Sequence, residues 1–141
     1  MRWIRGAWVV LATAWVALTG WVGSWTGWVM SASCGKGGTL HMRGARPGAS
    51  CDNTMLAAVG FWTLLLLALA VAIPLVAAAV AMKPWVSWLV TFSLVPLAAF
   101  GVVNWTGFWG ILVYAAPMLV VALIVALVQQ IATVRCGRLA P

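Results

Sequence analysis

The chain has 141 residues, 65% of them hydrophobic and only 6% charged, with eight Lys and Arg against a single acid, Asp52. That composition lies far outside the soluble globular range and leaves almost no mass for a water-soluble domain. The net charge of +7 sits in caps and loops rather than in a basic stripe interleaved with aromatics, which excludes nucleic-acid binding and fits topology signals and anionic headgroups instead.

The opening Met1-Arg2-Trp3-Ile4-Arg5 followed by an apolar run has the look of a signal peptide. The run continues from Gly6 to Met30, however, and a hydrocarbon core needs about 20 apolar residues to be crossed, so the reading is a first transmembrane helix. Ser31–Thr54 follows as the one substantial polar segment, rich in Gly, Ser and Arg. Three more apolar stretches, Met55–Met82, Trp85–Val103 and Phe108–Thr133, are each long enough to span. Lys83-Pro84 makes a minimal hinge between spans two and three, with Pro suited to a helix start. Asn104–Gly107 forms an uncharged turn, and residues 134–141 form a short basic tail. The expected fold is therefore all-α: one membrane domain of residues 1–141, a four-helix bundle made of two antiparallel hairpins.

Orientation follows from the cations. Arg2, Arg5, Lys83, Arg135 and Arg138 fall on one side, against Lys36, Arg43 and Arg46 on the other. Five against three favours both termini inside and Ser31–Thr54 outside. Cys34 and Cys51 then share the oxidising side, where a disulfide survives, while Cys136 faces the reducing one. Sixteen residues separate Cys34 from Cys51. A reactive dithiol usually has the Cys-x-x-Cys spacing, so the expectation is a structural disulfide closing the outer loop, worth about 3 kcal/mol for a loop of this size.

Eleven tryptophans are many for so short a chain. At about 100° per residue, Trp3, Trp8, Trp15, Trp21, Trp25 and Trp28 fall within an arc of roughly 160°, opposite Gly6, Thr13, Gly20, Gly23, Ser24 and Gly27. Glycines permit close helix approach, so Gly20, Gly23 and Gly27 are expected to pack inside, with Gly23→Leu more disruptive than Trp15→Leu. The aromatic face, with Trp8, Trp15, Trp25 and Trp28, is expected to meet lipid or another subunit. Most of these tryptophans also fit an aromatic belt: Trp3, Trp85 and Trp88 at the inner boundary, and Trp21, Trp25, Trp28, Trp105 and Trp109 at the outer one. Trp25-Thr26-Gly27-Trp28 and Trp105-Thr106-Gly107-Phe108-Trp109, with Pro74 and Pro117 in spans two and four, hint at two hairpins in parallel repeat. Helix-end chemistry explains the same residues without a repeat.

Little chemistry can be assembled. The lone His41 rules out bis-histidine haem ligation, and with Cys34, Cys51 and Asp52 it has no recognised zinc spacing. Asp52 is expected to offset Arg43 or Arg46, or to cap the second helix. Gln129 and Gln130 can bond across helices or to headgroups. Pro74, Pro96 and Pro117 are expected to kink their spans. No intramembrane carboxylate is available, unlike the embedded Glu of small multidrug transporters, and the region matching it offers only Thr13 and Thr19. The vitamin K epoxide reductase family adds a Cys-x-x-Cys to its loop cysteines, and this chain has no such pair.

The reading is a non-catalytic accessory or structural subunit of a larger bacterial membrane complex, respiratory or envelope-related, in the plasma membrane. It requires no cofactor and no metal. Its expected partners are membrane lipid and other membrane subunits, or further copies of itself. The alternatives are a small oligomeric transporter or channel, and a membrane thiol oxidoreductase using Cys34 and Cys51.

Overall fold

The computed structural model describes residues 2–37, 40–42, 44–105 and 108–138. Its elements in chain order are α1 (Arg2–Gly23), α2 (Gly27–Met30), α3 (Ala32–Gly37), α4 (Met55–Val59), α5 (Phe61–Ala81), α6 (Pro84–Val103), a 3-10 segment (Phe108–Tyr114) and α7 (Ala115–Arg138). No strand forms among the described residues; Thr26 and Thr54 make an isolated antiparallel bridge. Four helices are long and apolar enough to cross a membrane: α1, α5, α6, and the 3-10 segment continued into α7.

The first two apolar stretches are each shorter as helices than their hydropathy suggests. The first is interrupted after Gly23, because the Ser24 and Trp25 amides turn back to the Trp21 and Val22 carbonyls and Thr26 joins the bridge. The second is divided at Gly60, whose φ of +90° ends α4 and opens α5. Only glycine adopts that conformation without strain. Near the other end of α5, Met82 is left-handed with φ 50° and Pro84 begins α6, so the chain reverses within Met82 and Lys83.

Pro74 and Pro96 lie inside α5 and α6, which continue through them. Pro117 behaves differently from the expected kink. It falls in the first turn of α7, where an amide has no intrahelical partner to lose. Pro74 and Pro117 thus occupy unlike places in their helices, against the duplicated-hairpin pattern.

The helices alternate in direction. Residue 15 of α1 bonds residue 67 of α5 while residue 23 faces residue 64, and residue 87 of α6 bonds residue 129 of α7 while residue 101 lies on residues 112 and 113 of the 3-10 segment that leads into α7. The closest pairings are α1 on α5, and α6 on the 3-10 segment and α7. One end of the molecule therefore collects Arg2, Arg5, Lys83 and Arg135, and the other is closed by a cap built from the described residues among 24–37, 40–42 and 44–60. Gly101 sets the α6 contact: a Cβ there would run into the backbone of Leu112 and Val113. Its missing side chain lets the 3-10 segment lie against α6.

Candidate functional site: the cross-linked cap and the interior beneath it

The cap is an irregular segment tied to itself and to the helices. The Gly27 amide donates to the Asn53 carbonyl at 3.1 Å, and the Met55 amide to the Trp25 carbonyl at 2.7 Å. These bonds bracket the Thr26–Thr54 bridge and join the end of α1 to the start of α4. Cys34 on α3 forms a disulfide with Cys51, with Cα atoms 5.7 Å apart. Both cysteines are nearly inaccessible, at 1% and 2% exposure. The Arg46 amide donates to the Ala58 carbonyl at 2.8 Å, and its guanidinium rests on Gly60, where a Cβ would come within 2.5 Å of Nη2.

Several polar residues take places the sequence did not assign. Thr54, not Asp52, caps the helix that follows the loop, its Oγ1 accepting from the Ala57 amide at 3.3 Å. Asp52 Oδ1 instead accepts from Trp28 Nε1 at 2.9 Å. Arg43, its other suggested partner, lies outside the described residues. His41 is exposed, and its backbone amide donates to Ser33 Oγ at 2.9 Å. Among the described residues no three His, Cys, Asp or Glu side chains come together as a metal site.

The interior reverses the expected orientation of the first helix. Trp8 and Trp15 are fully buried, together with Leu11, Ala12, Thr19 and Val22 on the same face. The assignment of Trp8 and Trp15 to a lipid or partner face is therefore corrected. They belong to one buried apolar cluster with Leu64, Leu67, Val71, Leu75, Ala78 and Ala79 of α5. An indole buries a large apolar area, which favours an interior place for both side chains. Trp15 Nε1 also donates to the Leu67 carbonyl at 3.3 Å, as a buried indole requires.

The three glycines do not form one packing stripe. Gly20 is exposed, and a Cβ added there would meet nothing within 4 Å. Gly23 faces Leu64 Cδ1 at 3.2 Å from such a Cβ. Gly27 belongs to α2 and lies against the Cys51 backbone, with the Cys51 carbonyl oxygen 2.9 Å away on the same measure. The break after Gly23 removes the helical periodicity on which the common face rested. For the same reason Trp25 is half-buried in the cap, and only Trp28 of that group is clearly exposed.

A second polar contact lies toward the Lys83 end. Ser87 Oγ donates to Gln129 Oε1 at 2.7 Å, and Thr91 Oγ1 donates to the Ser87 carbonyl at 2.8 Å. All three residues are buried. Gln129 Nε2 and Trp8 Nε1 are buried donors without an acceptor among the described residues. Gln129 thus links helices, whereas Gln130 is exposed.

Sequence reasoning did not find Gly101, Arg46 as a cap element, or Ser87. Gly101 had a usable signal, being the lone glycine of the third apolar span. Ser87 and Arg46 had none, because their partners are 42 and 12 residues away. Comparison with known protein families, curated proteins and solved structures found no match.

Proposed function

We propose that this chain is an integral membrane protein with both termini inside, serving as a non-catalytic accessory subunit of a larger assembly in a bacterial plasma membrane. The observation that carries the reading is how its surface is divided. Bulky apolar side chains cover the outside of the helices along their length: Phe61, Leu66, Ile73 and Val80 on α5, Leu89, Phe92 and Val103 on α6, and Ile124, Val128 and Ile131 on α7. Such a surface needs lipid or partner helices to cover it. At one end stands a cross-linked cap able to offer a fixed shape to a neighbour.

The disulfide supports an oxidising location for the cap. The alternation of helices then leaves Arg2, Arg5, Lys83 and Arg135 inside, in keeping with the positive-inside rule. The burial of Cys34 and Cys51 favours a structural bond over a redox-active one, since exchange requires a thiolate to reach sulfur. Trp8 and Trp15 are fully buried among the helices and add to an apolar interior.

The test is gentle native extraction of the full chain with a tag at Pro141, followed by mass spectrometry of what co-purifies. A membrane partner at fixed stoichiometry, retained through a second native separation, supports the accessory role. Recovery of the chain alone, or only as a homo-oligomer, rejects it and brings transport forward.

A further inference from the structure

We propose that the groove between α1 and α5 at the cap end seats one acyl chain of an anionic phospholipid, with Arg46 holding its headgroup. This rests on the membrane-spanning reading above. The groove is an open cleft of about 480 Å³. Val16, Gly20 and Gly23 form its α1 wall, and Leu64, Leu65 and Ala68 its α5 wall.

The cleft is apolar despite the hydroxyls along it. Thr19 Oγ1 donates to the Trp15 carbonyl at 2.9 Å and Ser24 Oγ to the Trp21 carbonyl at 2.6 Å, so both are satisfied by their own chain. The absent side chain at Gly20 provides the depth, since nothing lies within 4 Å of where its Cβ would be. Along α1 the lining runs from Val16 to Gly23, a rise of about 10 Å at 1.5 Å per residue. One leaflet of a hydrocarbon core about 30 Å thick is about 15 Å deep, so the cleft lies within a single leaflet and does not run along a whole spanning helix.

Charge complementarity identifies the lipid class. The cleft ends at Thr54 and Phe61, and Phe61 directly follows Gly60, on which the Arg46 guanidinium rests. Arg46 is exposed, and the only carboxylate side chain in the protein, Asp52, is engaged by Trp28 Nε1. A guanidinium that donates to no acceptor among the described residues, one residue from the Phe61 end of the apolar cleft, fits a phosphate-bearing headgroup, to which Arg binds in bidentate fashion. The first turn of α5 has no side-chain cap and adds partial positive charge on the same side.

The experiment uses the full chain reconstituted in vesicles of phosphatidylglycerol and phosphatidylcholine, then extracted in mild detergent for native mass spectrometry of retained lipid. Resistance to alkaline extraction from the vesicles is measured first. A chain that washes off overturns the membrane reading and this inference with it; a chain that stays embedded isolates the inference. The expected result is one phosphatidylglycerol retained per chain, not displaced by millimolar inorganic phosphate. Arg46→Gln should reduce retention about tenfold, the loss of one charge-assisted contact, and Arg46→Lys should recover part of it. Gly20→Leu, directed into open space, should abolish retention while the chain stays monodisperse. Equal retention of phosphatidylcholine, displacement by phosphate, or unchanged retention in Arg46→Gln or Gly20→Leu would overturn the proposal.

Discussion

The cap and the helices beneath it are held together by different means. In the cap, segments distant in sequence are joined by a covalent bond and by backbone hydrogen bonds from Gly27 to Asn53, Met55 to Trp25 and Arg46 to Ala58. Between the long helices, only Trp15 to Leu67 and Ser87 to Gln129 cross as side-chain hydrogen bonds among the described residues. The rest is apolar fit. A helix satisfies its own backbone and depends on shape to find its neighbour. A loop too short for its own core needs cross-links instead. Damage to the two regions should therefore look different: loss of fit should scatter the helices, and loss of a cross-link should loosen the cap alone.

The largest effect is expected at Gly101. A side chain there has no room, because the backbone of the 3-10 segment occupies the position, and backbone cannot yield as a side-chain tip can. Gly101→Leu should abolish monodisperse protein in detergent size-exclusion profiles. Normal yield and helicity would mean that the segment Phe108–Tyr114 does not rest on α6.

Next comes the contrast between Trp15 and Gly23, taken at alanine and not at the leucine of the expectation from the sequence. Trp15→Ala removes a fully buried indole together with its bond to Leu67, a truncation of the kind that costs about 3–5 kcal/mol in a packed core. Gly23→Ala presses only on Leu64 Cδ1, the movable end of a side chain, and should cost under about 1 kcal/mol. Unfolding in mixed detergent micelles, followed by circular dichroism, measures both. The reverse ranking would restore the glycine face as the interior.

Removing the cross-link should be smaller in reach. Cys34→Ser with Cys51→Ser should destabilise the cap by about 3 kcal/mol and speed its proteolysis, with helicity unchanged. A fall in helicity comparable to that of Trp15→Ala would show that the cap organises the helices and is not merely attached to them.

These contrasts also mark what was legible in the sequence. Four apolar helices and the Cys34–Cys51 pairing could be read directly, because spanning length and cysteine placement are local properties. The buried face of α1 could not. Hydropathy cannot distinguish a tryptophan facing lipid from one facing protein, and the partner of Trp15, the Leu67 carbonyl, is 52 residues away. The broken first span was equally hidden, since Thr26 leaves helical geometry to pair with Thr54, 28 residues on. Where a partner distant in sequence decides the conformation, composition carries no trace of it.

The smallest expected effect tests whether the buried polar contact near Lys83 matters to the helices at all. Gln129 accepts from Ser87, yet its Nε2 is buried without an acceptor, an unmet requirement that offsets the bond made. In Gln129→Leu the volume is nearly kept and the unmet donor disappears. Ser87 Oγ then loses its acceptor, since the Lys83 carbonyl already takes the Val86 and Ser87 amides at 3.0 and 3.2 Å, so one unmet donor replaces another. The variant should unfold within about 1 kcal/mol of the parent in the same micelle titration. Gln129→Glu should fall well below both, because it places an unpaired charge in an apolar interior. If Gln129→Leu instead loses more than about 2 kcal/mol, the Ser87–Gln129 bond fixes the register of α6 against α7, and apolar fit alone does not hold the helices.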